Sequence, residues 1–304
     1  MGTPDPLFAP VLDCAGRRLV LDRPRVVGIV NVTPDSFSDG GEHADAAGAV
    51  AHGLMLAEQG AAMLDVGGES TRPGAAEVPL EEELRRVIPV IEQLVARTAL
   101  PIAVDTSKPE VMRAAVAAGA GMINDVYALR REGALDAAAE LGVPVCLMHM
   151  QGEPRGMQAA PQYDDVVGEV HRFLADRLFA CELAGLDKRK VMVDPGFGFG
   201  KTLEHNLALL RALERFTGLG AGLYVGLSRK SMIGALTGRE RPAERAAGSA
   251  AAALIAAQRG ALLLRVHDVA ATIDALAVWQ AVKAGDAPTR RDDRPPAPRW
   301  PDDE

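Results

Sequence analysis

Short apolar runs alternate with longer amphipathic segments along most of the chain. The apolar runs are rich in Val, Ile, Leu and Ala, which is typical of parallel strands buried on both faces. Eight such runs occur, at residues 26–31, 62–66, 101–104, 121–124, 143–148, 191–194, 222–226 and 261–266. The segments between them place apolar residues at helical spacing, as in Val166, Val170 and Phe173. A strand followed by a helix, repeated in this way, predicts parallel strands joined by right-handed crossovers.

Eight strand–helix repeats predict an α/β fold with a single domain, a (β/α)8 TIM barrel. A doubly wound open sheet is the alternative that the repeat itself leaves open. We assign residues 1–25 to an N-terminal lead-in that can hold a short hairpin, residues 26–283 to the barrel and residues 284–304 to a tail. The tail is rich in Pro and in charged residues, so it is expected to be disordered.

Nearly every cluster of polar residues directly follows one of the predicted strands. In a TIM barrel the carboxyl ends of the strands carry the active site, so these clusters predict where the chemistry occurs. The loop at 31–41 combines Pro and paired Gly with polar groups, which is typical of a mobile functional loop. The loop at 67–74 holds Gly, hydroxyl groups and a guanidinium that suit an oxyanion, but it lacks the Lys-Ser/Thr of a P-loop.

Three acceptor side chains, Asp105, Asn124 and Asp194, stand at the ends of the third, fourth and sixth predicted strands. A single Asp at such a position can simply cap the helix that follows. Two acids and an amide at one rim form a good acceptor set for the paired N–H donors of a guanidine-like heterocycle. We therefore predict a heterocycle pocket at these residues.

Basic side chains follow the last two predicted strands, with Arg229 and Lys230 after the seventh and with Arg265 and His267 at the eighth. A solvated basic turn is the simpler interpretation of the first pair. However, the loops after the seventh and eighth strands form the usual phosphate site of such barrels, so we predict an anion site here.

Composition narrows the class of function. The net charge of −8 argues against general nucleic-acid binding, although a local basic cluster can still bind an anion. The three cysteines show no CxxC spacing, which predicts free thiols in a reducing cytosol. The six histidines contain no HxH or HxxxH pair, so a zinc site is not favoured. With no basic-then-apolar leader and no apolar stretch long enough to span a bilayer, we expect a cytoplasmic protein.

Taken together, the segments at 31–41, 67–74, 194–201, 228–231 and 265–268 resemble those of the dihydropteroate synthases, a family of pterin-binding TIM barrels. The resemblance covers residues 26–283, nearly the whole predicted barrel. It implies a transferase that condenses (7,8-dihydropterin-6-yl)methyl diphosphate with 4-aminobenzoate to give 7,8-dihydropteroate and pyrophosphate in folate biosynthesis. It also implies Mg²⁺ as cofactor, a homodimer, membership of the class of enzymes that sulfonamides target, and no nucleic-acid or membrane partner.

Carried over to this sequence, the resemblance implies three pockets and a catalytic set. The pterin pocket contains Asp105, Asn124, Asp194 and Lys230. The diphosphate site contains Asn31, Thr71, Arg265 and His267, with Mg²⁺ near Asn31. The aminobenzoate pocket contains Phe37, Pro73, Phe199 and Ser231. The catalytic residues are Asp105, Lys230, Arg265 and His267.

The residue chemistry allows the same reaction. Ionisation of the carbon–oxygen bond would leave a cation conjugated with the ring, which a buried acid such as Asp105 can stabilise. Arg265, His267 and Mg²⁺ would stabilise the departing diphosphate, and the two mobile loops would close to exclude water. Two rival functions stay open: a methyltetrahydrofolate methyltransferase, which shares the pterin acids but binds no diphosphate, and a non-catalytic pterin-binding paralogue.

Overall fold

The computed structural model describes residues 10–32, 42–70, 77–152, 157 and 161–284, with only the backbone for 42–45. Three of the predicted site residues, Phe37, Thr71 and Pro73, lie outside the described residues. The predicted tail also lies outside them, except for its first residue, Ala284.

Eight parallel strands close into a barrel, and the last of them pairs with the first. A two-stranded antiparallel hairpin precedes the barrel and consists of β1 (Val11–Cys14) and β2 (Arg17–Val20). The barrel strands are β3 (Arg25–Asn31), β4 (Met63–Gly67), β5 (Ile102–Asp105), β6 (Met122–Asp125), β7 (Val145–Met148), β8 (Val191–Asp194), β9 (Gly222–Val225) and β10 (Ala261–Val266). The TIM-barrel prediction is confirmed, and the closure of β10 onto β3 rules out the open sheet.

Nine α-helices occur in the described ranges, one more than the sequence pattern predicts. They are α1 (Glu42–Glu58), α2 (Leu80–Arg97), α3 (Pro109–Ala117), α4 (Ala134–Leu141), α5 (Val166–Leu183), α6 (Leu203–Arg211), α7 (Ser231–Thr237), α8 (Ala246–Gln258) and α9 (Val269–Ala284). The additional helix is α7, which ends at Gly238 because that glycine adopts a left-handed φ of 69°. A short 3-10 turn beginning at Pro242 then leads into α8.

Helices cover the outside of the barrel through their apolar faces. In α2 the apolar side chains of Val87, Val90, Ile91 and Leu94 are fully buried against the strands. The strands themselves are buried on both faces, as all five residues of β4 illustrate. This double burial explains why the strands stand out in the sequence as continuous apolar runs rather than as alternating patterns.

The hairpin covers the N-terminal end of the barrel. Leu12, Cys14, Leu19 and Leu21 are buried and pack against side chains inside the barrel floor, where Met63 is one of the residues they meet. The contact is too tight for a side chain on the barrel side, since a Cβ at residue 121, a glycine, would lie 2.4 Å from a backbone oxygen of the hairpin. The open end of the barrel is therefore the opposite one, where the strands have their carboxyl ends.

The guanidinium of Arg17 ties the hairpin to the helical layer. It donates three hydrogen bonds of 2.6–2.8 Å to the carbonyl oxygens of Val95, Thr98 and Leu100, at and just beyond the C-terminus of α2. A cation at this position also interacts favourably with the helix dipole. The lead-in, for which the sequence suggested no role, thus seals the floor of the barrel.

Candidate active site

A buried carboxylate, Asp65, organises the centre of the open end. Its side chain is fully buried within β4, and its Oδ2 accepts from the Arg265 guanidinium, from Asn124 Nδ2 at 3.0 Å and from Tyr224 OH at 3.3 Å. Arg265 also donates through Nη2 to Asp105 Oδ2 at 2.7 Å. The structure therefore brings together three of the predicted site residues through a fourth that the sequence analysis did not select.

One guanidinium lies between two carboxyl groups at the centre of the site. Burial raises the pKa of Asp105 to about 7; the positive charge of Arg265 opposes this shift and the nearby carboxylate of Asp65 adds to it. Its protonation state therefore changes near neutral pH.

The amide of Asn124 has a defined orientation. Asp65 Oδ2 accepts from Asn124 Nδ2, so the amide nitrogen of Asn124 faces Asp65 and its carbonyl oxygen points away. Asn124 is 5% exposed, and its carbonyl oxygen is an acceptor to which a ligand N–H can donate.

Asp194 and Lys230 form the second side of the pocket. Asp194 is buried and accepts from the backbone N–H of Gly196 at 2.7 Å. Burial raises the pKa of Asp194, while Lys230 opposes this shift. Burial likewise lowers the pKa of Lys230 to about 8, with Asp194 opposing. The Lys230 ammonium donates to the carbonyl of Phe197 and lies 4.5 Å from the ring centroid of Phe199, so Lys230 contacts both predicted substrate pockets.

The loop after β8 is held by a second buried lysine. Lys201 is 3% exposed, and its Nζ lies 2.8 Å from Gly196 O, 2.9 Å from Phe199 O and 2.9 Å from His149 Nδ1. Burial lowers the pKa of His149 to about 2, with the charge of Lys201 contributing, so the imidazole is neutral. Lys201 belongs to a segment that the sequence analysis singled out, but no role was assigned to it.

The loops after β9 and β10 are joined by hydrogen bonds between side chains. Arg229 adopts a left-handed φ of 59° and donates to both carboxylate oxygens of Asp268, at 2.9 Å from Nε to Oδ2. Ser228 is buried and its hydroxyl lies 3.0 Å from His267 Nδ1. These contacts fix the loop that carries Lys230 next to the loop that carries His267. Ser231 follows Lys230 and begins α7 at the exposed edge of the site.

The base of the loop after β4 is anchored to the neighbouring strands. Lys108 Nζ donates to Glu69 Oε2 at 2.6 Å and to Glu83 Oε2 at 2.5 Å, and Glu83 also accepts from Thr106 Oγ1 at 2.5 Å. Glu83 is fully buried although it lies on a helix, which a carboxylate tolerates only when it is paired. The loop that contains the predicted residues Thr71 and Pro73 therefore begins from a fixed point.

Asn31 is the last residue of β3 and lies opposite Gly67 in the strand register, at the rim beside the carboxylate network. Within the described ranges, no group of three or more His, Cys, Asp or Glu side chains is arranged to hold a metal ion. Mg²⁺ is commonly held by one or two protein oxygens together with substrate phosphates and water. The single amide oxygen of Asn31 fits an ion that arrives with a diphosphate rather than a preformed cage.

None of the helices in the described part of the chain has the length and apolar character needed to cross a membrane.

Sequence reasoning missed Asp65 because it lies inside an apolar run rather than after one. Its position within an apolar run is itself a signal, because an acid within a fully buried strand has to be paired. Asp125 follows Asn124 on β6 and is fully buried. Its carboxylate accepts from Ser107 Oγ and from the backbone N–H groups of Tyr127 and Leu129, so it shapes the turn that follows β6.

Comparisons with known proteins show the family to which the chain is similar. The family model described as pterin binding enzyme matches residues 27–267. The chain is 55% identical to dihydropteroate synthase of Escherichia coli (strain K12) over 266 residues, which cover 88% of this chain and 94% of that protein.

Solved structures give the same result. Dihydropteroate synthase of Xanthomonas albilineans with 4-aminobenzoic acid is 71% identical with a TM-score of 0.87, covering 91% of this chain and 99% of that one. The Xanthomonas albilineans enzyme in complex with 7,8-dihydropteroate is 68% identical with a TM-score of 0.84, covering 90% of this chain and 99% of that one.

Proposed function

The chain belongs to the pterin binding enzyme family, among its dihydropteroate synthases, and from this premise we propose how its residues divide the work of the reaction. The enzyme is a transferase of folate biosynthesis that condenses (7,8-dihydropterin-6-yl)methyl diphosphate with 4-aminobenzoate, giving 7,8-dihydropteroate and pyrophosphate. The observation that supports the assignment of roles is the Asp65–Arg265–Asp105 network, in which one guanidinium donates to two carboxylates from different strands.

The pterin ring is held by Asp194 and Asn124. Asp194 keeps a carboxylate oxygen beside the ring edge, and the outward carbonyl oxygen of Asn124 accepts from a second ring N–H. Lys230, opposite Asp194, donates to an acceptor on the ring. Each polar group of the ring edge thus has a partner in the pocket, which matters because an unpaired polar group would be costly where water is excluded.

Departure of the diphosphate is assisted by Arg265 and His267. Arg265 is oriented by two carboxylates, so it presents its remaining N–H groups without the cost of ordering a long side chain. His267, positioned by Ser228, donates to a phosphate oxygen at the same rim. Mg²⁺, when bound with the diphosphate near Asn31, supplies charge neutralisation for the leaving group.

Ionisation of the carbon–oxygen bond leaves a cation conjugated with the pterin, and the Asp105 carboxylate stabilises it electrostatically. The electron pair of the broken bond leaves with the diphosphate. The arylamine nitrogen then forms the new bond to the exposed carbon, and the proton that this nitrogen loses passes to water. An arylamine is already neutral at pH 7, so the attacking nitrogen does not need a strong base.

The amine comes from 4-aminobenzoate bound at Phe199 and Ser231, with Phe37 and Pro73 completing the pocket from the two loops whose residues lie outside the described ranges. The Lys230 ammonium lies over the ring of Phe199, so the aminobenzoate pocket directly adjoins the pterin pocket. This adjacency supports an attack on the ring-bound carbon without movement of either substrate between sites.

The function is tested by measuring pyrophosphate release from the pterin diphosphate. Release is expected to require 4-aminobenzoate and to fall by about two orders of magnitude in Arg265→Ala, because a charge-assisted contact to the leaving group is lost. Pyrophosphate release that ignores 4-aminobenzoate would contradict the condensation. Methyl transfer from methyltetrahydrofolate would favour the methyltransferase alternative.

We also propose that the enzyme is a cytoplasmic homodimer. The three cysteines, Cys14, Cys146 and Cys181, are free and buried, which suits a reducing compartment. Helices α7 to α9 expose apolar side chains that a second copy can cover, among them Leu236, Val278 and Val282. Light scattering during gel filtration tests the dimer, and a monomeric mass at micromolar concentration would contradict it.

A further inference from the structure

The loop that joins β8 to α6, residues 195–202, is wound around a buried ammonium group. Three of its glycines, Gly196, Gly198 and Gly200, adopt left-handed φ angles of 69°, 79° and 61°. At Gly196 a Cβ would lie 1.8 Å from a backbone oxygen of residue 149. Such a conformation places carbonyl groups on the inside of the turn, and the nitrogen that meets them is Lys201 Nζ.

The contacts of Lys201 match the three hydrogens of an ammonium group. Its Nζ has three acceptors within 2.8–2.9 Å, namely Gly196 O, Phe199 O and His149 Nδ1, and His149 O lies further away at 3.4 Å. An ammonium donates to all three when His149 carries its ring hydrogen on Nε2, so that Nδ1 accepts. Burial and the positive charge of Lys230 lower the pKa of Lys201, and the negative charge of Asp194 opposes that shift. The neutral imidazole of His149 is free of the positive charge that would repel the ammonium.

The surrounding side chains hold the same loop from outside. Asn206 is buried, accepts from Gly198 N at 2.7 Å and donates to Thr202 O at 2.6 Å. Tyr163 OH donates to Gly200 O at 2.9 Å. Lys201 is the one charged group in this set, and it acts on the inner carbonyls, including that of Phe199.

We propose that Lys201 is a positioning residue for the reaction. Its buried ammonium donates to carbonyl groups on the inside of the loop, which stabilises the conformation of the loop and holds Phe199 beside Lys230. The inference rests on the proposed role of Phe199 in binding 4-aminobenzoate. The close partners of Lys201 Nζ are His149 and two carbonyls of the loop, so its role is indirect. The backbone of Asp194 is held by the ladder from β8 to β7, and its side chain meets the loop only at Gly196 N, so we expect pterin binding to depend less on Lys201 than aminobenzoate binding does.

The test compares Lys201→Met, which keeps the length of the side chain and removes its donors, with Lys190→Met. Lys190 is a matched control because its Nζ also donates to a backbone carbonyl, Gly142 O at 2.7 Å, but on the exposed surface. In Lys201→Met the KM for 4-aminobenzoate is expected to rise about tenfold or more, while the Kd of a free pterin changes by less than about threefold. Lys190→Met is expected to keep wild-type constants.

A second variant keeps the proposal testable where Lys201→Met fails to fold. His149→Leu removes one acceptor and leaves the two loop carbonyls in place, so the KM for 4-aminobenzoate is expected to rise about threefold with the free-pterin Kd unchanged. An unchanged KM in a folded Lys201→Met, or an equal loss of aminobenzoate and pterin binding in either variant, would overturn the positioning role. Absence of pyrophosphate release in the wild type and in Lys190→Met would instead count against the proposed function.

Discussion

Asp65, on β4, joins residues from three other strands of the barrel at one carboxylate oxygen. Its bond to Arg265 spans 200 positions of the chain and its bond to Tyr224 spans 159. The residues at the strand ends could be predicted from the sequence, because the position after a strand in a repeated strand–helix pattern indicates the rim. Asp65 could not, because which partner a buried acid finds depends on barrel closure and not on its neighbours in sequence.

Replacing Asp65 with Asn is expected to reduce kcat/KM for the pterin diphosphate by about 100-fold and to lower stability by about 3 kcal/mol, since the amide removes the negative charge that pairs with the buried Arg265 guanidinium. Steady-state kinetics and urea unfolding measure the two effects. Asp22→Asn is the matched control, because Asp22 pairs with Arg25 at the exposed surface and its loss should cost less than about 1 kcal/mol. Similar effects in the two variants would contradict the anchoring role of Asp65.

The raised pKa of Asp105 predicts the pH dependence of the reaction. Its carboxylate form is the one that stabilises a cation, so kcat/KM for the pterin diphosphate is expected to rise with pH and to level off above about 7. The raised pKa of Asp105 also makes the free energy of unfolding fall as pH rises. Between the two pKa values the folded state keeps the proton that the unfolded chain has already lost. The group therefore costs stability as pH rises from its ordinary value of 3.8 to about 7. In Asp105→Asn the activity should be low and lose this rise; an unchanged pH profile would exclude Asp105.

At the scale of elements, the barrel strands were predicted to within two residues because double burial makes each of them a continuous apolar run. The repeat pattern gave one helix too few, since the seven residues of α7 are too few to establish a helical period. A short hairpin was predicted in the lead-in, and the structure has one there, but its packing was not predicted. Its packing against the barrel floor depends on contacts with β4 and β6, which lie far along the chain and leave no local pattern.

The hairpin can be tested by truncating a side chain that faces the floor. Leu12 is 2% exposed, so Leu12→Ala is expected to lower the free energy of unfolding by about 3 kcal/mol. Activity well below the melting temperature should be unchanged, because the hairpin and the site occupy opposite ends of the barrel. Val11→Ala is the control: Val11 is the adjacent residue of β1, is 36% exposed, and should cost less than about 1 kcal/mol. Equal losses in the two variants would mean that the hairpin does not bury Leu12 in solution.

At the scale of the whole molecule, the described residues close the barrel without the last part of the chain. The final strand ends at Val266 and the final helix at Ala284. A chain ending at Ala284 is therefore expected to keep the melting temperature and the kcat of the full chain to within about twofold. Calorimetry and steady-state kinetics on the two forms measure this. A clear drop in either quantity would show that residues 285–304 contribute to the fold or to the site.

The sealed floor of the barrel has a consequence for the order of events in catalysis. Because the hairpin closes one end of the barrel, ligands can enter and leave only at the end where the strands have their carboxyl ends. Asn124 and Asp194 are buried there, at 5% exposure each, whereas Ser231 is exposed. A ligand bound at the buried residues can therefore be covered by a second ligand bound closer to the surface. We therefore expect the pterin to bind before the aminobenzoate, and the joined product to leave through the same end before a new pterin can bind.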